Sequence, residues 1–275
     1  MPRANGAIDT RHAMQFSAPM KSNTAAVSAV TIAVLFALWW VATAYVWIKP
    51  LFLPSPQVTF MALVSAVNGN TQGQVPLVDH VAVSVARVLA AFILAVLTAV
   101  PVGIAMGASR VLRGIFDPII EFYRPLPPLA YLPLIVIWLG IDESAKLTLI
   151  YLACFAPLAI AAKAGVQSAA IERVNAAYSL GASRWQVIRF VLLPSAMPEI
   201  LIGMRIAIGF GWTTLVAAEM VAATTGLGQM ILNASNFLRT DVVVMGILVI
   251  GMLAFACDLV MRKIAAVLTP WKGLM

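Results

Sequence analysis

Between Val81 and Met106 the chain places one charged side chain, Arg87, in an otherwise apolar run. In a helix rising about 1.5 Å per residue, some 20 such residues cross the roughly 30 Å hydrocarbon core of a bilayer. Similar runs recur at Val27–Ile48, Ala145–Ala162, Pro198–Ala223 and Val242–Val260, and an irregular one lies between Asp117 and Gly140. Composition decides whether these are spans or core helices. Only 11% of residues are charged and 62% are hydrophobic, whereas a soluble domain carries about 25% charged residues. The expectation is an all-α polytopic membrane protein with about six transmembrane helices. The net charge of +7 comes with no basic run interleaved with aromatics. It is therefore read as a topology signal and not as a nucleic-acid footprint. Cys154 and Cys257 both fall in apolar segments and read as small buried hydrophobes, and the 13 methionines read as helix packing.

The first run ends in Trp39, Trp40, Tyr45 and Trp47. A cleaved leader is the rival reading, since Ala42-Thr43-Ala44 resembles a cleavage site. The run is long for a leader's apolar core of about 7–15 residues, which favours a retained helix. Pro50, Pro54 and Pro56 then break the chain ahead of a short surface helix, Val58–Val67, and a polar turn at Asn68–Gln74. Gly103 and Gly107, four apart, would permit close helix contact, and Arg110 and Arg113 read as a short loop. In the third run, Pro118, Pro125, Pro127, Pro128 and Pro133 forbid one regular helix. A helix from Pro128 to Ile141 would reach only about 21 Å, so this span must include Ile119–Arg124 and be broken at the prolines. Ser144 reads as an N-cap, and Thr224–Arg239 as a polar outer segment.

The longest polar interruption is Gly165–Pro194. Its punctuation predicts two short helices. Ser168–Leu180 ends at Gly181, which tolerates positive φ. Ser183 caps the second helix, with Gln186 at the capping-box spacing, and Pro194 stops it. Six spans put both termini on one side. If that side is the cytoplasm, twelve Lys and Arg fall inside and three outside, at Lys49, Lys146 and Arg239. This bias places the Gly165–Pro194 loop in the cytoplasm.

Asn175-Ala176-Ala177, three residues, Gly181, nine residues, then Val191-Leu192-Leu193-Pro194 resembles the cytoplasmic EAA loop of membrane subunits of binding-protein-dependent ABC importers. The glycine, the final Leu-Pro and the spacing match. The first acidic residue does not: position 175 is Asn, and Glu172, nearly one turn earlier, is placed to take over its hydrogen bonds. The resemblance extends from about residue 35 to 272 through PVGIAMG, EFYRPLPPLAYLPLIVIWLGI, SLGAS, GWTTLVAAEM and TGLG. These look like permeases of the nitrate/sulfonate/taurine family, most of all the taurine permeases, with other aliphatic sulfonates or nitrate as alternative substrates. The resemblance implies a type I ABC importer permease fold. It implies a second copy of the chain, two ATP-binding subunits carrying ATP and Mg, and a periplasmic substrate-binding protein. The ATPase-coupling residues would be Glu172, Asn175, Ala176, Ala177, Gly181, Ser183, Leu193 and Pro194. The chain then divides into a cytoplasmic tail (1–24), a transmembrane permease domain (25–268) containing the loop, and a cytoplasmic C-terminal tail (269–275), all in the bacterial inner membrane.

The chain itself has no GxxxxGK[ST] phosphate loop, so ATP hydrolysis is expected elsewhere and this chain carries no cofactor. His12 and His80 lack partners at metal-ligand spacing, and no GxSxG, HExxH or CxxC occurs. A charge within a span costs about 2.5–3.5 kcal/mol on insertion scales, so it faces a partner or water. Glu121, Arg124, Arg205 and Glu219 therefore either line a path or pair with one another or with headgroups, and Arg205, near the inner end, is read as paired. The candidate path is Glu121, Arg124, Trp212, Thr213, Thr214 and Glu219, with Arg124 attracting the anionic head of a substrate. A secondary transporter working alone would be expected to show coupling-ion carboxylates and often an internal repeat; no convincing repeat is visible. The topology has a direct test. In a Cys154→Ala/Cys257→Ala background, Asn70→Cys and Asn233→Cys should react with an impermeant thiol reagent on spheroplasts and Ser168→Cys should not. The opposite labelling would invert the orientation.

Overall fold

The computed structural model describes residues 24–69 and 75–271. The N-terminal tail with Arg3, Arg11, His12 and Lys21, residues 70–74 of the Asn68–Gln74 turn, and Lys272 lie outside them. Every regular element among the described residues is helical. The chain divides into two compact units, Met1–Pro56 and Gln57–Met275. In the first, α1 (Thr24–Ala44) is followed by a turn in which the Trp39 indole N–H donates to the Pro54 carbonyl at 3.0 Å.

The second unit is built on α3 (Leu77–Ala108), α6 (Glu143–Gln167) and α9 (Leu193–Ala222). Their shared core includes Val88, Ala95, Ala99, Ile150, Cys154, Leu158, Ala207 and Leu215. Small residues set the spacing. A Cβ on Gly103 would lie 2.6 Å from the Ala162 methyl, and one on Gly107 would lie 2.5 Å from Val166 Cβ. Both glycines thus mark direct contact between α3 and α6, as their spacing predicted. A second core joins α2 (Pro56–Val67), α10 (Leu227–Asn236) and α11 (Thr240–Leu268) through Ala62, Ala66, Leu227, Ala234, Val242 and Met245.

Five helices are long and apolar enough to cross a membrane, or six if α4 (Arg110–Tyr123) and α5 (Pro128–Leu139) form one broken span. These two meet at 104°. The Pro125-Leu126-Pro127-Pro128 stretch removes three backbone donors at the break, so no helix can run through it. Broken backbone at membrane depth persists where protein or water satisfies it.

Several boundaries differ from the sequence reading. Arg110 and Arg113 are not in a loop: they belong to the first turn of α4, where Arg113 donates to the Met106 and Gly107 carbonyls at the end of α3. A guanidinium there satisfies carbonyls that the helix end leaves free. α6 begins at Glu143 with Asp142 as its N-cap residue, not Ser144. The short helix after the first unit lays Thr59, Ala62 and Ala66 into the core. Thr224–Arg239, read as a polar segment, contains α10, whose Leu227, Ile231 and Ala234 are buried. Apolar residues at i, i+4 and i+7 carried that signal.

Candidate functional site

The coupling-loop candidate is built as its punctuation predicts, in a shorter form. Its first helix, α7, spans Ile171–Ser179 and buries no residue. The Ala182 N–H donates to the Ala177 carbonyl at 3.0 Å and the Gly181 N–H to Tyr178 at 2.9 Å, with Gly181 at φ +83°. This is the paired closure that ends a helix through a left-handed residue. Ser183 then caps α8 (Arg184–Val187). Its N–H donates to Gln186 Oε1 at 2.7 Å and its hydroxyl accepts from the Gln186 N–H at 3.4 Å. Glu172 lies in the first turn of α7, and Asn175 and Ala176 are exposed, with Ala177 half-buried.

Pro194 does not stop the second helix. Residues Ile188–Leu192 widen into a π turn, in which the Leu193 N–H bonds back to the Ile188 carbonyl, and α9 continues through Leu193 and Pro194. The widened turn makes room for the proline ring, which would otherwise collide with the carbonyl four residues earlier. The loop is therefore joined to α9 without a break. It also exposes large apolar side chains: Leu180 is 88% exposed, Trp185 67% and Phe190 68%.

The path candidates separate. Glu121 and Arg124 are both more than half exposed and approach to 3.7 Å. Thr213 is exposed, with its hydroxyl donating to Phe210 O at 2.9 Å. Trp212, Thr214 and Glu219 instead face the chain's own core. They sit on the faces of α9 that meet neighbouring helices, a partition that α9's near-uniform apolarity hid. The Trp212 indole N–H and the Tyr123 hydroxyl are buried without a hydrogen-bond partner among the described residues. A cavity of about 490 Å³ opens beside the break between α4 and α5. Residues 123–128 and Tyr131 form one side, α6 another, and α9 from Glu199 to Phe210 the third.

Glu219 is fully buried and belongs to a charge cluster that sequence reasoning missed. Its carboxylate accepts from Arg87 Nη1 at 2.8 Å, from the Ser84 hydroxyl at 2.8 Å and from the Gly228 N–H at 2.9 Å. Arg87 also donates through Nε and Nη2 to Glu143, at 2.7 and 2.6 Å, and through Nη1 to the Thr225 carbonyl at 2.6 Å. Lys146 completes the cluster, 2.7 Å from Glu143. His80 Nδ1 accepts from the Gly226 N–H at 3.0 Å. Gly226 has φ +142°, and a Cβ there would collide with the Glu219 carboxylate. Two cations and two anions cancel, which is how such charges survive burial. Arg87 lies early in α3, Glu143 begins α6 and Glu219 nearly ends α9. Opposite charges at one level of adjacent spans were the available signal. At the other end Arg205 pairs with Asp258 at 2.9 Å, and Lys163, which proves to lie inside α6, pairs with Asp117 at 2.6 Å.

Residues 99–271 match the family described as binding-protein-dependent transport system inner membrane component. The chain belongs to this family: it is a multi-pass inner-membrane component of a transport system that works with a separate substrate-binding protein, and it is not itself an enzyme. It is 54% identical over 243 residues to the taurine transport system permease protein TauC of Escherichia coli, covering 88% of each chain. It is 34% identical to the putative aliphatic sulfonates transport permease protein SsuC of Escherichia coli, covering 86% of this chain and 88% of the relative. The fold is that of a type I importer permease. A chain of the MetNI methionine ABC transporter, solved in inward-facing conformations, aligns with TM-score 0.63 at 19% identity, covering 70% of this chain and 96% of that one.

Breaking a buried pair by removing one partner costs about 3–5 kcal/mol. Glu219→Leu should therefore lower the thermal unfolding transition in detergent by several degrees. Arg87→Met/Glu219→Leu should lose less than the two single substitutions summed. Strictly additive losses would show that the two residues do not act as a pair.

Proposed function

We propose that this chain is the permease subunit of an ATP-driven importer for taurine, acting as a homodimer with two ATPase subunits and a periplasmic binding protein. The observation that carries the substrate is the 54% identity to a taurine permease along 88% of both chains. Other aliphatic sulfonates are the second reading, favoured by the 34% identity to a sulfonate permease. ATP and Mg would be bound by the ATPase subunits. Both termini would be cytoplasmic, in keeping with the excess of Lys and Arg on that side.

Two features support the mechanism. The α7–α8 loop presents Leu180 and Trp185 outward, uncovered by any of the described residues, as a surface that docks on an ATPase subunit would. Glu172, Asn175, Ala176, Ala177, Gly181, Ser183, Leu193 and Pro194 belong to that surface or to its junction with α9. Movement of the docked loop would then pass directly into α9. The second feature is the cavity at the broken span. Glu121, Arg124 and Thr213 are open on a chain that lives in hydrocarbon, where exposed charge must meet water or protein. A water-filled path between two copies meets that requirement, and a guanidinium there lowers the desolvation cost of a sulfonate. In this reading Trp212, Thr214 and Glu219 hold the wall of the path and do not line it.

The purified complex should co-elute with an ATPase subunit and, in proteoliposomes with its binding protein, take up taurine only with ATP. Failure of either would overturn the reading. Gly181→Val should abolish uptake while the protein remains in the membrane, because a β-branched residue resists positive φ; normal uptake would remove the loop from the mechanism. Arg124→Gln should reduce uptake, and Glu121→Gln/Arg124→Gln should not restore it. Recovery in the double variant would reduce Arg124 to a structural partner of Glu121.

A further inference from the structure

The cavity beside the broken span carries charges of both signs. Arg124 lies on the side formed by the break, and Glu199 lies on α9. Arg124 is 56% exposed, and its ion-pair contact is the 3.7 Å approach of Glu121. Glu199 is exposed and has no ion-pair partner among the described residues. Arg87, Glu219, Lys146, Lys163 and Arg205 behave differently: all are held within 3.0 Å of a counter-ion. Glu199 follows directly on Pro198 at the inner end of the apolar run of α9, where an unpaired carboxylate is met by water or by a cation. The cavity supplies the room. Its volume of about 490 Å³ falls in the range of small-molecule sites. Along α9 it extends from Glu199 to Phe210, about 16 Å of helix.

We infer that this cavity selects a zwitterion, with Arg124 receiving the sulfonate and Glu199 the ammonium group of an aminoalkanesulfonate. The inference rests on the importer reading above and names the substrate class of that path. A simple anion, whether nitrate or an alkanesulfonate without an amine, gains from Arg124 and is repelled by Glu199. A zwitterion gains from both, so the carboxylate excludes as well as attracts. Both contacts are exposed and water-accessible, which keeps the site weak enough for the substrate to leave.

The test is saturation-transfer NMR on the solubilised permease–ATPase complex, with taurine and ethanesulfonate as competing probes. One charge-assisted contact corresponds to about tenfold or more in affinity. The wild-type complex should therefore prefer taurine by about tenfold. Glu199→Gln should bring that preference to within about twofold, chiefly by weakening taurine, and Glu199→Asp should retain most of it. Arg124→Gln should weaken both probes. A taurine preference that survives Glu199→Gln, or a wild-type complex that binds both probes equally, overturns the inference. ATP-driven taurine uptake by the same wild-type preparation separates the two readings. If uptake is present without the preference, only this inference falls; if uptake is absent, the importer reading falls with it.

Discussion

Glu219 carries a negative charge where no solvent reaches it, and much of the second unit is arranged so that it can. Three donors from two helices converge on its carboxylate: the Ser84 hydroxyl and Arg87 guanidinium from α3, and the Gly228 N–H that opens α10. Arg87 then needs more acceptors than Glu219 offers, and Glu143 and the Thr225 carbonyl supply them. The demand for satisfaction thus spreads outward from one carboxylate until four elements are tied together. Because unmet charge in a low-dielectric interior is so costly, the arrangement tolerates little variation in how α3, α6, α9 and α10 meet. Apolar packing elsewhere in the unit has no such directional demand and could be met in several registers.

Both ends of the unit carry charge pairs, Lys163–Asp117 and Arg205–Asp258 at the end away from Glu219, but the rest of their chemistry differs. At the Glu219 end, polar groups lock the helices. Further along, at Gly103 and Gly107, the absence of side chains lets α3 and α6 touch. Beyond these, past the end of α6, the chain is held mainly by its own caps. α7 buries nothing and is terminated by the left-handed Gly181, while α8 is started by the reciprocal Ser183–Gln186 bonds. Local bonds shape the turn, Val187 of α8 anchors it to the core, and Leu180 and Trp185 are left uncovered by the described residues.

The sequence exposed this asymmetry unevenly. Caps, prolines and glycines act over a few residues, so Gly181, Ser183 and the break at Pro125–Pro128 could be read from their neighbours alone. The number of spans followed from run length. Which face of α9 meets which neighbour did not, because a helix apolar on all sides gives no periodic signal. Hence Trp212 and Thr214 could be placed near mid-span but not assigned to core or path. Glu219 could be identified as a buried charge, but its partner lies 132 positions away in sequence. Pro194 misled for a different reason: a proline normally ends a helix, and the π turn that accommodates it depends on a backbone adjustment with no side-chain signature.

That adjustment has a mechanical consequence. From Arg184 to Ala222 the helical path is continuous over 39 residues, about 58 Å at 1.5 Å per residue. The π turn at Ile188–Leu192 and Pro198 are the places along it where a bend could be absorbed, and beyond Pro198 the helix runs on to Ala222 with no further proline. Tilting the stretch from Pro198 to Ala222, about 36 Å long, by roughly 5° about its loop end would carry the far end sideways by about 3 Å. The far end is where Glu219 is clamped. Leverage and clamp therefore oppose each other along a single helix, and angular play at the loop end becomes displacement at the charge cluster.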